Sequence, residues 1–172
     1  MFIYYNTNTK EIIRMFKSKP DNFKQIDEYL SRSAQPMEEN LKWLKEQGVT
    51  DIINFRNMSK FDFDEAKYVK ELGMNYHSMP SVTKFIKKEN IVEFLNILEK
   101  VKNKNGKVSI HCDHGADRTG MFSYIYERLN NIGTPKDNID ELTKHRWHKE
   151  KYPDLVKWAE DIIDLFKNDK AN

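Results

Sequence analysis

Three times this chain repeats one arrangement: apolar residues at helical spacing, then a glycine, then a short apolar or alternating run. Leu41, Trp43 and Leu44 within residues 37–47 precede Gly48 and the run Asp51 to Phe55. Residues 62–72 carry a second helical pattern, closed by Gly73 ahead of Met74 to Met79, which alternates apolar with polar until Pro80. Ile91, Phe94, Leu95 and Leu98 then recur at the helical spacing i, i+3, i+4, i+7, and Val108, Ile110 and Cys112 alternate on the next strand. A period near 3.6 marks helices and a period of 2 marks strands. Glycine just past a helix takes the left-handed cap at no steric cost.

A helix between successive strands implies right-handed crossovers, hence parallel strands, and a parallel sheet needs cover on both faces. The expected fold is therefore α/β, with a central, mostly parallel sheet of four or five strands flanked by helices. Ligands of such sheets sit outside the carboxyl ends of the strands. Cys112 stands at one of those ends.

The remaining chain is less patterned. Residues 1–25 are polar with weak periodicity, residues 26–32 are expected to form a first short strand, and Ser33 to Pro36 a turn. Residues 119–172 are expected to be helical in three pieces: one after Thr119, one from Pro135 to about Trp147, and one carrying Leu155, Trp158, Ala159, Ile162 and Phe166. With no repeat and no low-complexity linker, the 172 residues are read as a single domain, expected to be a monomer. Lys plus Arg number 29 against 27 acidic residues, so overall charge gives no reason to expect a nucleic-acid or membrane partner. No apolar run is long enough to span a bilayer, and the opening MFIYYNTNTK lacks the form of a secretory signal, so a cytoplasmic location is expected. Removal of an export signal ahead of residue 1 would leave the same chain. Cys112 is the only cysteine, which excludes an intramolecular disulfide and suits a reducing compartment.

The chemistry concentrates at residues 111–120, HCDHGADRTG. A strand ending in a turn that enters a helix near Arg118 brings several backbone amides and a helix amino terminus to one point, which is an anion cradle. Cys112 at its base gains thiolate character from those amides, the helix dipole and Arg118, as a nucleophile requires. Arg118 offers a planar fork matching two phosphate oxygens. Asp113, His114, Gly115 and Ala116 form the curve of the loop, with Gly115 allowing close backbone approach. Thr119 can donate a hydroxyl hydrogen bond to the sulfur as it leaves, and His111 is expected to orient the loop from behind. Requiring a glycine three places after the cysteine, an arginine six places after it and then a serine or threonine lowers chance agreement to about one in ten thousand.

The stretch resembles the signature HCxxGxxR[ST]G of the cysteine-phosphatase superfamily, met at His111, Cys112, Gly115, Arg118, Thr119 and Gly120. With SRSAQP at 31–36 and DIINFR at 51–56, roughly residues 26–131 are similar to compact bacterial dual-specificity-like phosphatases. The resemblance implies a phosphatase-like fold without cofactor or metal. It also implies two-step phosphomonoester hydrolysis through a phosphocysteine. The HCxHGxDRTG form is similar to members acting on phosphoprotein (Tyr, Ser or Thr) or inositol-phosphate substrates.

One departure matters. Family members usually place an aspartate general acid about thirty residues before the cysteine, yet residues 78–89, SMPSVTKFIKKE, hold none. In some relatives ending DRTG the loop aspartate takes this part, so Asp117 is the expected acid, with Asp113 the alternative. Cationic candidates for substrate contact are Arg32 and Arg56 at strand ends, and Lys84 with Lys87 and Lys88. A second basic cluster is Lys144, His145, Arg146, His148 and Lys149. Phe85 or Tyr76 could wall an aryl phosphate. Because the upstream acid is missing, a phosphate-binding module with little turnover is the alternative reading. An arsenate reductase or sulfur transferase fits the single cysteine and the Arg118-Thr119 pair less well.

Overall fold

The computed structural model describes residues 18–59 and 61–171. Five strands form one sheet: β1 (Lys24–Gln25), β2 (Leu30–Ser33), β3 (Asp51–Asn54), β4 (Asn75–Ser78) and β5 (Val108–His111). Their order is β1-β2-β5-β3-β4, with β1 antiparallel to β2 and every other neighbour parallel. Helices α1 (Glu38–Glu46), α2 (Glu65–Glu71), α3 (Lys88–Lys102), α4 (Asp117–Leu129), α5 (Pro135–Lys144) and α6 (Leu155–Ala171) complete the described chain, with a 3-10 turn at Thr83–Phe85. The expected α/β architecture with a mostly parallel sheet is the one present.

Alternation along the strands divides the core. Ile53 and Phe55 of the β3 segment join Val108, Ile110 and Cys112 on the face covered by α3, α4, α5 and α6. Ile52 points the other way, into a smaller cluster with Leu41, Leu44 and Val69 from α1 and α2. Phe55 stacks on Phe122 with ring centroids 4.1 Å apart, and Phe94 packs edge-on to Phe122 at 5.2 Å. Burying side chains of this size stabilises the fold by about 1.5–3 kcal/mol each.

Gly48 and Gly73, the punctuation of the repeated pattern, both take positive φ where α1 and α2 end. Three expectations needed correction. The strand placed at 26–32 instead runs Leu30–Ser33, taking in Ser33 from the expected turn and starting late because Asp27 Oδ1 accepts from the amides of Tyr29 and Leu30 and turns the chain there. The weakly patterned 1–25 segment contributes the edge strand β1, while its residues 1–17 lie outside the described residues. Helix α5 stops at Lys144 rather than Trp147, since Arg146 adopts φ +67.

The register sets the site. Ser33, His111 and Asn54 align across β2, β5 and β3, so the loops after them emerge side by side at the carboxyl edge. Cys112 heads the central one.

Candidate active site

Cys112 is a free thiol, 3% exposed, immediately after β5. The chain then curves through Asp113 to Ala116 and enters α4 at Asp117. Its carbonyls are drawn outward. Gln35 N–H donates to Asp113 O at 2.9 Å, Asn22 Nδ2 to His114 O at 3.0 Å, and Arg32 Nη2 to Gly115 O at 2.5 Å. The amides of Asp113 to Arg118 donate to no group among the described residues. A loop with its acceptors occupied and its donors free is suited to an anion beside the thiol.

Gly115 has φ +67, and a Cβ there would lie 2.4 Å from the Ser33 carbonyl oxygen. Any side chain would push the loop off β2. Gly120 serves closeness instead: a Cβ would meet Leu142 at 2.9 Å, between α4 and α5. Behind the thiol, His111 Nδ1 lies 3.2 Å from the Cys112 carbonyl oxygen. Its Nε2 is 2.8 Å from Glu65 Oε1 but off the line a hydrogen bond needs, so neither atom is satisfied. Glu65 Oε2 accepts from Asn54 at 2.7 Å and Tyr76 at 3.3 Å. Burial, with the Glu65 charge second, pushes the Tyr76 hydroxyl up to about 12 and keeps it a donor at neutral pH.

Arg118 Nη1 donates to the Phe55 carbonyl at 3.1 Å, and no other donor of its guanidinium has a partner among the described residues. It lines a pocket of ≈ 250 Å³ with Cys112, Asp117, Thr83, His148 and Tyr152, while Asp113, His114, Ala116 and Lys151 complete the wall. Asp117 points both oxygens at one residue: Oδ1 accepts from His148 N–H at 2.9 Å, and Oδ2 lies 2.7 Å from His148 Nδ1. Thr119 is fully buried, and its hydroxyl has no partner among the described residues, so the bond to sulfur is not made here.

The expected cationic contacts separate. Arg32, 2% exposed, lies beneath the loop as a brace and outside the pocket, not at its mouth where a substrate contact was expected. Burial pulls its guanidinium down to about 10, leaving it protonated at neutral pH. Arg56 sits at the loop's rim, 3.3 Å from Asp113 Oδ1, bonded to Gln35 and stacked over Phe61. Lys84 extends over the exposed Phe85 ring, and its neighbour Thr83 is the residue that reaches the pocket. In the second basic cluster Arg146 is clamped by Asp21, Lys144 pairs with Glu141 and His145 is buried against Asn22. Of that cluster only His148 lines the pocket. Tyr76 is tied into the Glu65 network, so the aromatic wall is Tyr152.

Asn22, Glu65, Lys151 and Tyr152 were not anticipated. Glu65 had a signal: it shares a helical face with Val69 and Leu72, four and seven places on, which makes it an inward-facing carboxylate. Asn22 had none.

Residues 7–153 match the family model described as DSP-PTPase phosphatase fused to NAD+ kinase. The chain belongs to this phosphatase family. A tyrosine-protein phosphatase of Autographa californica nuclear polyhedrosis virus is 30% identical over 102 residues, 57% of this chain and 59% of that relative. The chain thus spans well under two thirds of that curated relative. Among solved structures, P. aeruginosa TpbA superposes with a TM-score of 0.72 at 19% identity, covering 88% of this chain and 92% of that one. The core catalytic domain of the PP-IP phosphatase SIW14 from S. cerevisiae gives 0.69 at 20% identity, covering 89% and 94%. These two likenesses establish the fold, and the family match places the chain among the DSP-PTPase phosphatases. Among the described residues no helix is long and apolar enough to cross a membrane, and no group of three or more His, Cys, Asp or Glu could hold a metal ion.

Proposed function

We propose that the chain hydrolyses phosphomonoesters in two steps through a phosphocysteine at Cys112, without metal or cofactor. The supporting observation is the loop itself: a buried thiol beneath amides that have no partner among the described residues, with Arg118 on the first turn of α4 offering donors likewise without one. The amides and guanidinium bind the phosphoryl oxygens and hold the thiolate in line with phosphorus. Sulfur forms the bond to phosphorus as the ester oxygen departs with a proton supplied at the Asp117–His148 side of the pocket. Water then displaces sulfur, where the buried hydroxyl of Thr119 is the available donor to the departing thiolate.

The substrates proposed are phosphoproteins or inositol-phosphate-type molecules. A structure of P. aeruginosa TpbA is a complex with pTyr, and SIW14 is a PP-IP phosphatase, so both classes have precedent on this fold. Lys151, which lines the same pocket as Arg118, favours a substrate carrying more than one anionic group. Vanadate-sensitive hydrolysis of a chromogenic aryl phosphate in chelator, abolished in Cys112→Ser, is the expected result. An inactive protein that still binds phosphate esters would instead mark a binding module, the reading favoured by the missing upstream aspartate.

A further inference from the structure

We propose that His148 is the general acid of the first step and the general base of the second, and that Asp117 is the positioning residue that aims it. This rests on the phosphatase reading above. Both oxygens of Asp117 are occupied by the same residue, one by the His148 backbone N–H at 2.9 Å and one by Nδ1 at 2.7 Å. With each oxygen held against a donor position of one residue, Asp117 is arranged to accept from His148 and orient it rather than to reach an ester oxygen. The same contact fixes the tautomer of the ring. With Asp117 as the acceptor, Nδ1 is the proton-bearing nitrogen of this contact, leaving Nε2 as the atom that can exchange a proton.

Nε2 has no hydrogen-bond partner among the described residues, and His148 lines the pocket that holds Cys112 and Arg118. Asp117 is 15% exposed and His148 49%, so the carboxylate is the sheltered member and the imidazole the one that meets solvent and substrate. The other titratable groups facing the ring are His114, whose ring centroid is 5.9 Å away, and Cys112, Asp113, Arg118, Lys151 and Tyr152 around the pocket. The loop bearing His148 is itself held, since Trp147 Nε1 donates to the Tyr152 carbonyl at 3.1 Å. An imidazole from the segment after α5 thereby occupies the part that the absent upstream aspartate leaves open.

The protons balance. In the first step the Cys112 thiolate forms the S–P bond, the P–O bond to the leaving group breaks, and that oxygen takes the proton from imidazolium Nε2. In the second step neutral Nε2 takes a proton from water as the water oxygen bonds to phosphorus and the P–S bond breaks. Thiolate and imidazolium are both restored.

The test measures kcat/KM and the pH profile for a graded series of aryl phosphates and one alkyl phosphate, in wild type, His148→Asn and Asp117→Asn. Asparagine at 148 offers an amide N–H in place of Nδ1 but no transferable proton. His148→Asn is expected to lose about 100-fold on the alkyl ester, little on the most activated aryl ester, and the basic limb of the alkyl-ester profile. Asp117→Asn is expected to show a smaller loss with the same dependence on leaving group, with the basic limb retained. An unchanged leaving-group dependence in His148→Asn, with the wild type active, overturns this assignment alone, as does its loss in Asp117→Asn only. No turnover by the wild type on any ester overturns the phosphatase reading and this assignment with it.

Discussion

Arg32 Nη2 donates to the carbonyl oxygen of Gly115 at 2.5 Å from beneath the loop. This bond, with those of Asn22 and Gln35, turns loop carbonyls away from the thiol and leaves the amides for an anion. A buried arginine outside the pocket can therefore set how well an anion is bound within it. Arg32→Met should lower stability by about 2–3 kcal/mol in urea unfolding, the loss of a charged hydrogen bond. It should slow activated and unactivated esters equally. A loss confined to unactivated esters would tie Arg32 to proton transfer instead.

Gly115→Ala should be costlier for the loop than for the fold. The left-handed backbone and the Cβ 2.4 Å from Ser33 O both oppose it, by about 1–3 kcal/mol for the strain alone. Vanadate affinity measured by protection against thermal unfolding should drop at least tenfold. Wild-type affinity in the variant would show that the loop tolerates displacement from β2.

Thr119→Ala removes the buried, unpaired hydroxyl beside the cysteine loop. If that hydroxyl serves the departing sulfur, the second step slows by about tenfold, the worth of about 1.4 kcal/mol. Stopped-flow assays with an activated aryl phosphate should then show a larger burst and a slower steady state. A slower burst would place Thr119 in the first step.

Stability should be flat between about pH 6.5 and 10 and fall on both sides. Burial, with the charge of Arg32 second, lowers His145 from 6.5 to about 4. The folded state thus binds fewer protons than the unfolded chain, and stability present above pH 6.5 is lost as pH falls through about 4. Burial and nearby carboxylates raise Tyr76 and Tyr124 from 10 to about 12, so stability present below pH 10 is lost as pH rises towards 12. Thermal melts across pH, repeated for His145→Gln, should show the acid slope between 6.5 and 4.5 flattened in the variant. An unaltered slope there would assign it to other groups.

The helix-glycine-strand repeat was enough to read the sheet, because crossover geometry leaves few alternatives. The loop was legible for a similar reason: its chemistry lies within ten consecutive residues, HCDHGADRTG. What sequence hid was the company these residues keep. His148 stands 31 positions from Asp117 and Asn22 stands 92 from His114, and only tertiary folding brings either pair together. Charge alone misplaced Arg32, since burial beneath a loop and exposure at its mouth look the same in a strand-end arginine.

The most direct measurement is rapid quenching of the protein mixed with an activated aryl phosphate, followed by intact-mass and peptide analysis. One phosphoryl group should appear in the burst phase on the peptide holding Cys112, and none in Cys112→Ser, which should also lack turnover. A phosphoryl group on another residue, or undiminished turnover in Cys112→Ser, would contradict a phosphocysteine enzyme.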